Sequence, residues 1–112
     1  MKPDLVRGHL DLMLLTIVSD GPIHGYGALE ALKARSGGAF DLPGGTVYPA
    51  LHRLESAGLL ASSWSTDTGR RRRVYEITKR GRSALATERT EFAALVAGVE
   101  AILRGAPWPT TT

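Results

Sequence analysis

The last quarter of this 112-residue chain is predicted to form one long helix, and this element limits the fold more than any other feature. The helical pattern begins at Thr78, a typical N-cap residue, and ends near Leu103 and Arg104, just before Gly105 and a Pro-Trp-Pro segment. A helix of about 26 residues is roughly 39 Å long. A domain of this size cannot cover such a helix, so its outer half requires a second protein surface.

Apolar side chains follow one side of this helix. The first predicted helix, residues 5–19, is apolar around most of its circumference. It must therefore pack against protein on two sides, once within its own domain and once elsewhere. Packing within a single domain is the simpler interpretation, but the length of the last helix favours a symmetric homodimer. The expected interface consists of Leu10, Leu14, Leu85, Phe92, Leu95, Val96, Val99 and Leu103.

Between these two helices, the sequence predicts two more helices and a hairpin. A second helix covers about residues 24–36 and a third about residues 44–57, with Gly58 as the C-cap of the third. Strands at residues 59–65 and 72–77 flank a turn of hairpin composition. The third helix is apolar on one side only, and its stripe consists of Val47, Ala50, Leu51 and Leu54.

This element order is that of a winged helix-turn-helix with an added C-terminal helix. We therefore predict a mainly α protein with a small β-hairpin, which is an α+β fold. Residues 1–80 would form the winged helix-turn-helix domain, residues 81–104 a C-terminal dimerisation helix and residues 105–112 a tail. In such a domain the third helix enters the major groove of DNA.

The distribution of charge also points to a nucleic-acid partner. The chain has 14 Lys+Arg against 11 Asp+Glu, a net charge of only +3. Half of these basic groups nevertheless lie between Gly69 and Arg82, where Glu76 is the single acid. Such a local field favours nucleic acid first and a membrane surface second. A lone cluster of arginines is more often a solvated loop, but this one lies on the hairpin beside a helix-turn-helix.

Two groups of side chains are the predicted DNA contacts. The predicted hairpin is the wing of such a fold. Alternation along its second strand turns Arg73 towards the core edge, so the DNA contacts of the wing would be Arg70, Arg71 and Arg72. Tyr26 could touch the DNA backbone or fill the gap between helices, and the sequence favours neither. The exposed face of the third helix offers hydrogen-bonding groups to phosphates or base edges from Thr46, Tyr48, His52 and Arg53.

Catalysis and metal binding find no support in the sequence. The chain has no cysteine, and its three histidines lie in different predicted elements without metal-ligand spacing. We therefore expect no enzymatic activity, no cofactor and no metal. Charged residues interrupt the apolar N-terminal stretch, which is shorter than the roughly 20 residues that span a membrane. We expect a cytoplasmic protein without membrane association.

Three blocks of sequence resemble the PadR family of prokaryotic transcriptional regulators. Residues 24–29 read HGYGAL, similar to the family pattern at the start of helix two. Residues 45–59 read GTVYPALHRLESAGL and resemble the recognition-helix block throughout. Residues 69–81 read GRRRRVYEITKRG, which is similar to the family's wing. The blocks occur in the family's order and spacing, and the short chain resembles the subfamily with a single C-terminal helix.

The resemblance implies a sequence-specific, nucleoid-associated regulator that binds a pseudo-palindromic operator as a homodimer. It further implies a repressor that a small aromatic effector releases, and Phe92, Val96 and Val99 at the helix seam are the expected effector site. Thr46 and Tyr48 match family positions at the DNA surface, while Arg70 and Arg72 match wing positions. The alternatives are a protein–protein interaction module and a nonspecific architectural or RNA-binding protein.

The chain departs from the family pattern at two places. The family usually has Ser-Pro-Gly-Thr at the start of the recognition helix, but residues 43–46 here read PGGT. The capping serine is therefore missing, which typically costs about 1 kcal/mol of helix stability. Val74 replaces a tyrosine that is common in the wing, so a hydroxyl contact is lost from that strand.

Overall fold

The computed structural model describes residues 6–66, 69–105 and 107–108. Its elements follow the predicted order and add one short strand. The helices are α1 (Leu10–Ser19), α2 (Gly25–Arg35), α3 (Gly44–Ser56) and α4 (Lys79–Leu103). The strands are β1 (Ile23–His24), β2 (Leu60–Ser65) and β3 (Arg72–Ile77). They form an antiparallel sheet in the order β1-β3-β2, so the predicted winged α+β architecture with a long C-terminal helix is confirmed.

Strand β1 was not predicted from the sequence. It has only two residues, too few for a hydrophobic alternation to be visible. Ile23 pairs with Tyr75 and His24 pairs with Val74, which places β1 on the outer edge of β3. The start of α2 is thereby joined to the outgoing strand of the wing.

The first predicted helix, residues 5–19, is interrupted in the structure. Residues 6–7 are helical, Gly8 and His9 form a turn, and α1 then begins at Leu10. Glycine disfavours a helix interior because it loses more backbone entropy than other residues, which accounts for the break at Gly8. The predicted start at Pro3 and Asp4 lies outside the described residues.

The helix ends follow the capping rules except at the starts of α1 and α3, where the N-cap side chain makes no hydrogen bond. Thr78 Oγ1 accepts a hydrogen bond of 3.0 Å from the Gly81 amide and caps α4, as predicted. Gly58 follows α3 with a φ of +79°, a conformation that glycine adopts without strain. At the start of α3, the N-cap residue Pro43 has no side-chain hydrogen-bonding group. The Pro43 carbonyl still accepts from the amides of Thr46 and Val47, so the first turn is regular.

One hydrophobic core joins α1, α2, α3 and the sheet. The apolar stripe of α3 is buried as predicted, with Val47 and Leu51 completely inaccessible. Opposite this stripe lie Leu14 and Leu15 of α1 and Leu60 of β2. The rotation of α3 about its axis is therefore set by its buried face, and its other face points to solvent.

Helix α4 packs against α1, and its burial decreases towards its C-terminal end. Leu85 is buried there, but 39% of Phe92, 50% of Leu95 and 79% of Leu103 are exposed. The 25 residues of α4 extend for about 37 Å. The second half of the helix consequently projects with an uncovered apolar side.

Three residues of the predicted dimer interface lie elsewhere. Leu10, Leu14 and Leu85 belong to the core of the protomer itself, where at most 6% of each side chain is accessible. Both α1 and the start of α4 turn these side chains inwards, towards the hydrophobic core and β3. These leucines are inaccessible to a partner chain, so they are removed from the predicted dimer interface.

The close contact of α4 with the loop before β2 gives a test of the fold. A Cβ at Gly81 would collide with the carbonyl oxygen of Leu59 and lie 2.7 Å from Cγ1 of Ile77. We expect Gly81→Ala to destabilise the protein by about 1–3 kcal/mol through overpacking. Gly98→Ala, at an open position on the same helix, is the control and should stabilise the protein by about 1 kcal/mol. Chemical denaturation measures both, and equal stabilities would contradict the packing.

Candidate nucleic-acid interface

The face of α3 that points to solvent forms one wall of an open basic concavity. The opposite wall is the wing, made of β2, β3 and the turn between them. The concavity has a volume of about 640 Å³. The residues around it are His24, Gly25, Tyr26, Tyr48, His52, Arg70, Arg71, Arg72, Arg73 and Tyr75. Most of the predicted DNA contacts from helix and wing therefore meet on one surface.

The ring of Tyr48 lies between the first turns of α2 and α3. Cβ atoms built on Gly25 and Gly44 would lie 3.1 Å from Cε1 and 2.9 Å from Cε2 of this ring. Any side chain at these two positions would push against the ring. Sequence analysis identified Tyr48 but not the two glycines, because their role depends on the approach of two helices.

The remaining predicted residues of the helices occupy different environments. His52 is exposed on the middle of α3, and Thr46 is half-buried in its first turn. Tyr26 is 60% exposed at the edge of the basic concavity. This exposure does not fit a ring that fills a gap between helices, which would be buried.

The four consecutive arginines of the wing have different surroundings. Arg70 is exposed at the start of the outgoing chain. Arg71 lies over the ring of Trp64, with 4.5 Å between the guanidinium carbon and the ring centroid. Nη1 of Arg72 lies 3.0 Å from Nε2 of His24, on the side of β3 that turns away from Tyr75.

Arg73 lies on the side of β3 that faces the core edge, as the strand alternation predicted. Its Nε donates a 2.7 Å hydrogen bond to Ser62 Oγ. Its Nη2 lies 3.6 Å from a carboxylate oxygen of Glu55 on α3. These contacts pair the Arg73 guanidinium with Ser62 and Glu55 of the protein itself.

Arg53 departs most from its predicted role. Its two terminal nitrogens donate hydrogen bonds of 2.9 and 2.8 Å to the two carboxylate oxygens of Asp11 on α1. Hydrogen bonding to Asp11 raises the pKa of Arg53, partial burial opposes this, and the charge of Asp11 adds to it. A bidentate pair of this geometry occupies the fork that would otherwise read a guanine or a phosphate. Arg53 therefore lies outside the basic concavity.

His24 and Tyr75 also border the basic concavity, and each has a contact within the domain. Nδ1 of His24 accepts a 3.0 Å hydrogen bond from the Gly27 amide and caps α2. Burial raises the pKa of Tyr75, and the charge of Glu55 raises it further while that of Arg73 lowers it. Neither role was predicted from the sequence, because histidine is not among the preferred N-cap residues and the surroundings of Tyr75 depend on Glu55, which is distant in the chain.

Within residues 6–66, 69–105 and 107–108, no cluster of three or more His, Cys, Asp or Glu side chains is arranged to hold a metal ion. Among the same residues, no helix has the length and hydropathy that are needed to cross a bilayer.

Comparison with known proteins identifies the group to which the chain is related. Residues 14–87 match the model of the transcriptional regulator PadR-like family. The transcriptional regulator Rv3488 of Mycobacterium tuberculosis is 39% identical over 83 residues, which are 74% of this chain and 75% of that protein.

Solved structures agree with this relationship. A PadR family transcriptional regulator from Eggerthella lenta superimposes with a TM-score of 0.80 at 30% identity, over 91% of this chain and 88% of that one. A PadR family transcription regulator from Clostridium difficile gives a TM-score of 0.75 at 28% identity, over 86% and 99% of the two chains. The protein is therefore a member of the PadR-like family, a regulator of transcription and not an enzyme.

Proposed function

We propose that this protein is a homodimeric repressor that binds a pseudo-palindromic operator through its basic concavity. The observation that carries this proposal is the convergence of wing arginines and the exposed face of α3 on one open surface. In this arrangement α3 enters the major groove and the wing lies along the flanking backbone. Residues 1–80 thus bind DNA, and residues 81–104 form the dimer.

The contacts divide into those that hold DNA and those that read it. Arg70, Arg71 and Arg72 meet phosphates because they lie on the wing, where planar guanidinium groups match phosphate oxygens. Tyr26 adds a backbone contact from the edge of the concavity, where it is exposed. Tyr48, His52 and Thr46 read base edges from α3. Arg53 is excluded from this set because Asp11 occupies its guanidinium.

The uncovered side of α4 supports the homodimer. Phe92, Leu95, Val96, Val99 and Leu103 lie on one stripe, and all but the half-buried Val96 are exposed in the protomer. A symmetric partner would cover the stripe with the same stripe of its own chain. Such a dimer would present two α3 helices to major grooves about 34–36 Å apart.

We place the small aromatic effector in the seam that this dimer creates. A cavity of about 190 Å³ already opens beside Phe92, between α4 and the turn that precedes α1. Burial raises the pKa of Glu88 at this cavity, Asp11 and Glu91 raise it further, and His9 lowers it. A planar ligand between Phe92, Val96 and Val99 would change the angle between the two helices and hence the spacing of the DNA-reading surfaces. Release of labelled operator on titration with planar aromatic compounds is the expected result.

The role of the wing arginines can be measured by salt dependence. We expect Arg70→Ala with Arg72→Ala to weaken binding to every duplex and to reduce the slope of log affinity against log salt by about 2, because each phosphate contact contributes about 0.9. Arg89→Ala with Arg104→Ala removes the same charge from α4 and should leave the slope unchanged. Fluorescence anisotropy at several salt concentrations measures both. A loss confined to one DNA sequence would contradict a backbone role.

Sequence reading by α3 requires a second measurement. Selection from random duplexes should yield a preferred operator, and His52→Ala should then lower the affinity for that operator by about 1–3 kcal/mol per lost base contact. Binding to unrelated duplexes should change little. Equal affinity of the unmodified protein for all duplexes would indicate a nonspecific architectural protein. Absence of any DNA binding would indicate a protein–protein interaction module.

The dimer interface is tested on α4. Phe92→Glu places a charge in the centre of the apolar stripe and should convert the dimer to a monomer, since an unpaired buried charge is costly. Ala94→Glu adds the same charge on the opposite side of the helix and should leave the dimer intact. Analytical ultracentrifugation distinguishes the two states. A dimer that survives Phe92→Glu would refute this interface.

A further inference from the structure

The wing carries a tryptophan that DNA recognition by the arginines does not by itself explain. We propose that Trp64 is a positioning residue: its ring holds Arg71 in the orientation in which that arginine meets DNA, and a chain of contacts from Glu55 ties the ring to α3. This inference rests on the proposed DNA-binding function and identifies a residue that orients an arginine of the wing.

The first observation is the environment of the Trp64 ring. The guanidinium carbons of Arg71 and Arg73 lie 4.5 and 5.3 Å from its centroid, within the roughly 6 Å over which a ring attracts a cation. The ring is also 54% exposed, so it is not a core residue. Two like charges thus lie close to one aromatic ring of the hairpin.

The register of the hairpin decides which way this group faces. Trp64 pairs with Arg73, and Ser62 pairs with Tyr75, so these four side chains share one face of the sheet. Tyr75 on this face is buried and borders the basic concavity. The ring of Trp64 therefore lies on the side of the wing that faces α3, where Arg71 also borders the concavity.

A continuous set of contacts connects this group to the recognition helix. Ser62 Oγ accepts from Arg73 Nε at 2.7 Å and donates its own hydrogen to the Glu55 carboxylate on α3. The same carboxylate lies 3.6 Å from Arg73 Nη2. Glu55 thus fixes Arg73, Arg73 borders Trp64, and Trp64 borders Arg71. The chain of contacts links the angle of the wing to the position of α3.

The physical benefit is preorganisation. A free arginine side chain loses much rotamer freedom when it binds a phosphate, and a side chain that is already held loses less. The ring attracts the guanidinium through its quadrupole, and the negative charge of Glu55 offsets the repulsion between the two arginines. Arg71 can therefore be presented to DNA without the full entropic cost.

A double-mutant cycle tests the inference. Trp64→Leu should weaken binding to a selected operator by about two- to five-fold, the range that exposed cation–π contacts give. Arg71→Ala should weaken it by at least as much, because it also removes the phosphate contact. The double variant should bind no more weakly than Arg71→Ala alone, because Trp64 acts only through Arg71. Trp64→Phe keeps an aromatic face and should restore most of the affinity. Trp108→Leu removes the other, 91% exposed tryptophan and should have no effect.

Several results would overturn the inference. A penalty of Trp64→Leu that persists in the Arg71→Ala background would mean that Trp64 touches DNA itself. Equal losses for Trp64→Phe and Trp64→Leu would mean that the aromatic ring is not required. A fall in thermal stability that accounts for the lost binding, with no rescue by Trp64→Phe, would mean that the tryptophan only stabilises the hairpin.

A measurement without DNA separates this inference from the proposed function. The δ protons of Arg71 should show an upfield ring-current shift in NMR spectra of the unmodified protein, and Trp64→Leu should abolish it. Absence of the shift would overturn the positioning role even if the protein binds DNA. Presence of the shift in a protein that binds no duplex would overturn the proposed function, and the role of Trp64 in recognition would fall with it.

Discussion

The one-sided burial of α3 is the constraint on which the rest of the molecule depends. Val47, Leu51 and Leu54 are almost completely inaccessible, and each would lose stabilising free energy if the helix turned about its axis. Because the helix cannot turn, Tyr48 and His52 on its other side always face the same direction. The hydrophobic core therefore determines which side chains are available for recognition, although none of the core residues takes part in it.

Strand β3 transmits this arrangement to the wing. It pairs with β2 on one edge and with β1 on the other, so its position is fixed from both sides. Its alternating side chains then separate two tasks, with Tyr75 and Arg73 on the face towards the core and Arg72 on the other face, beside His24. Arg72 and Arg73, identical neighbours in the chain, thus acquire different environments from the pleat of a single strand.

The sequence alone was sufficient for elements with a strong local signal. The predicted third helix differs from α3 by about one residue, and residues 72–77 match β3, because both have clear periodicity. Contacts between distant positions were not predictable. Asp11 and Arg53 are 42 residues apart, and no local pattern links a carboxylate on α1 to an arginine on α3. The contact of Trp64 with the arginines was likewise not predictable, because it depends on the register between β2 and β3.

The contact between His24 and Arg72 has a consequence for where protons reside. Nδ1 of His24 accepts the Gly27 amide hydrogen, so the single hydrogen of a neutral ring must be carried by Nε2. Nε2 then has no lone pair to offer, and the Arg72 nitrogen 3.0 Å away is a second donor facing it. The tautomer that caps α2 thus leaves the guanidinium of Arg72 without an acceptor in the ring. In the proposed complex with DNA, a phosphate oxygen at this position would meet two hydrogen donors, one from each residue, with no bond between them to break.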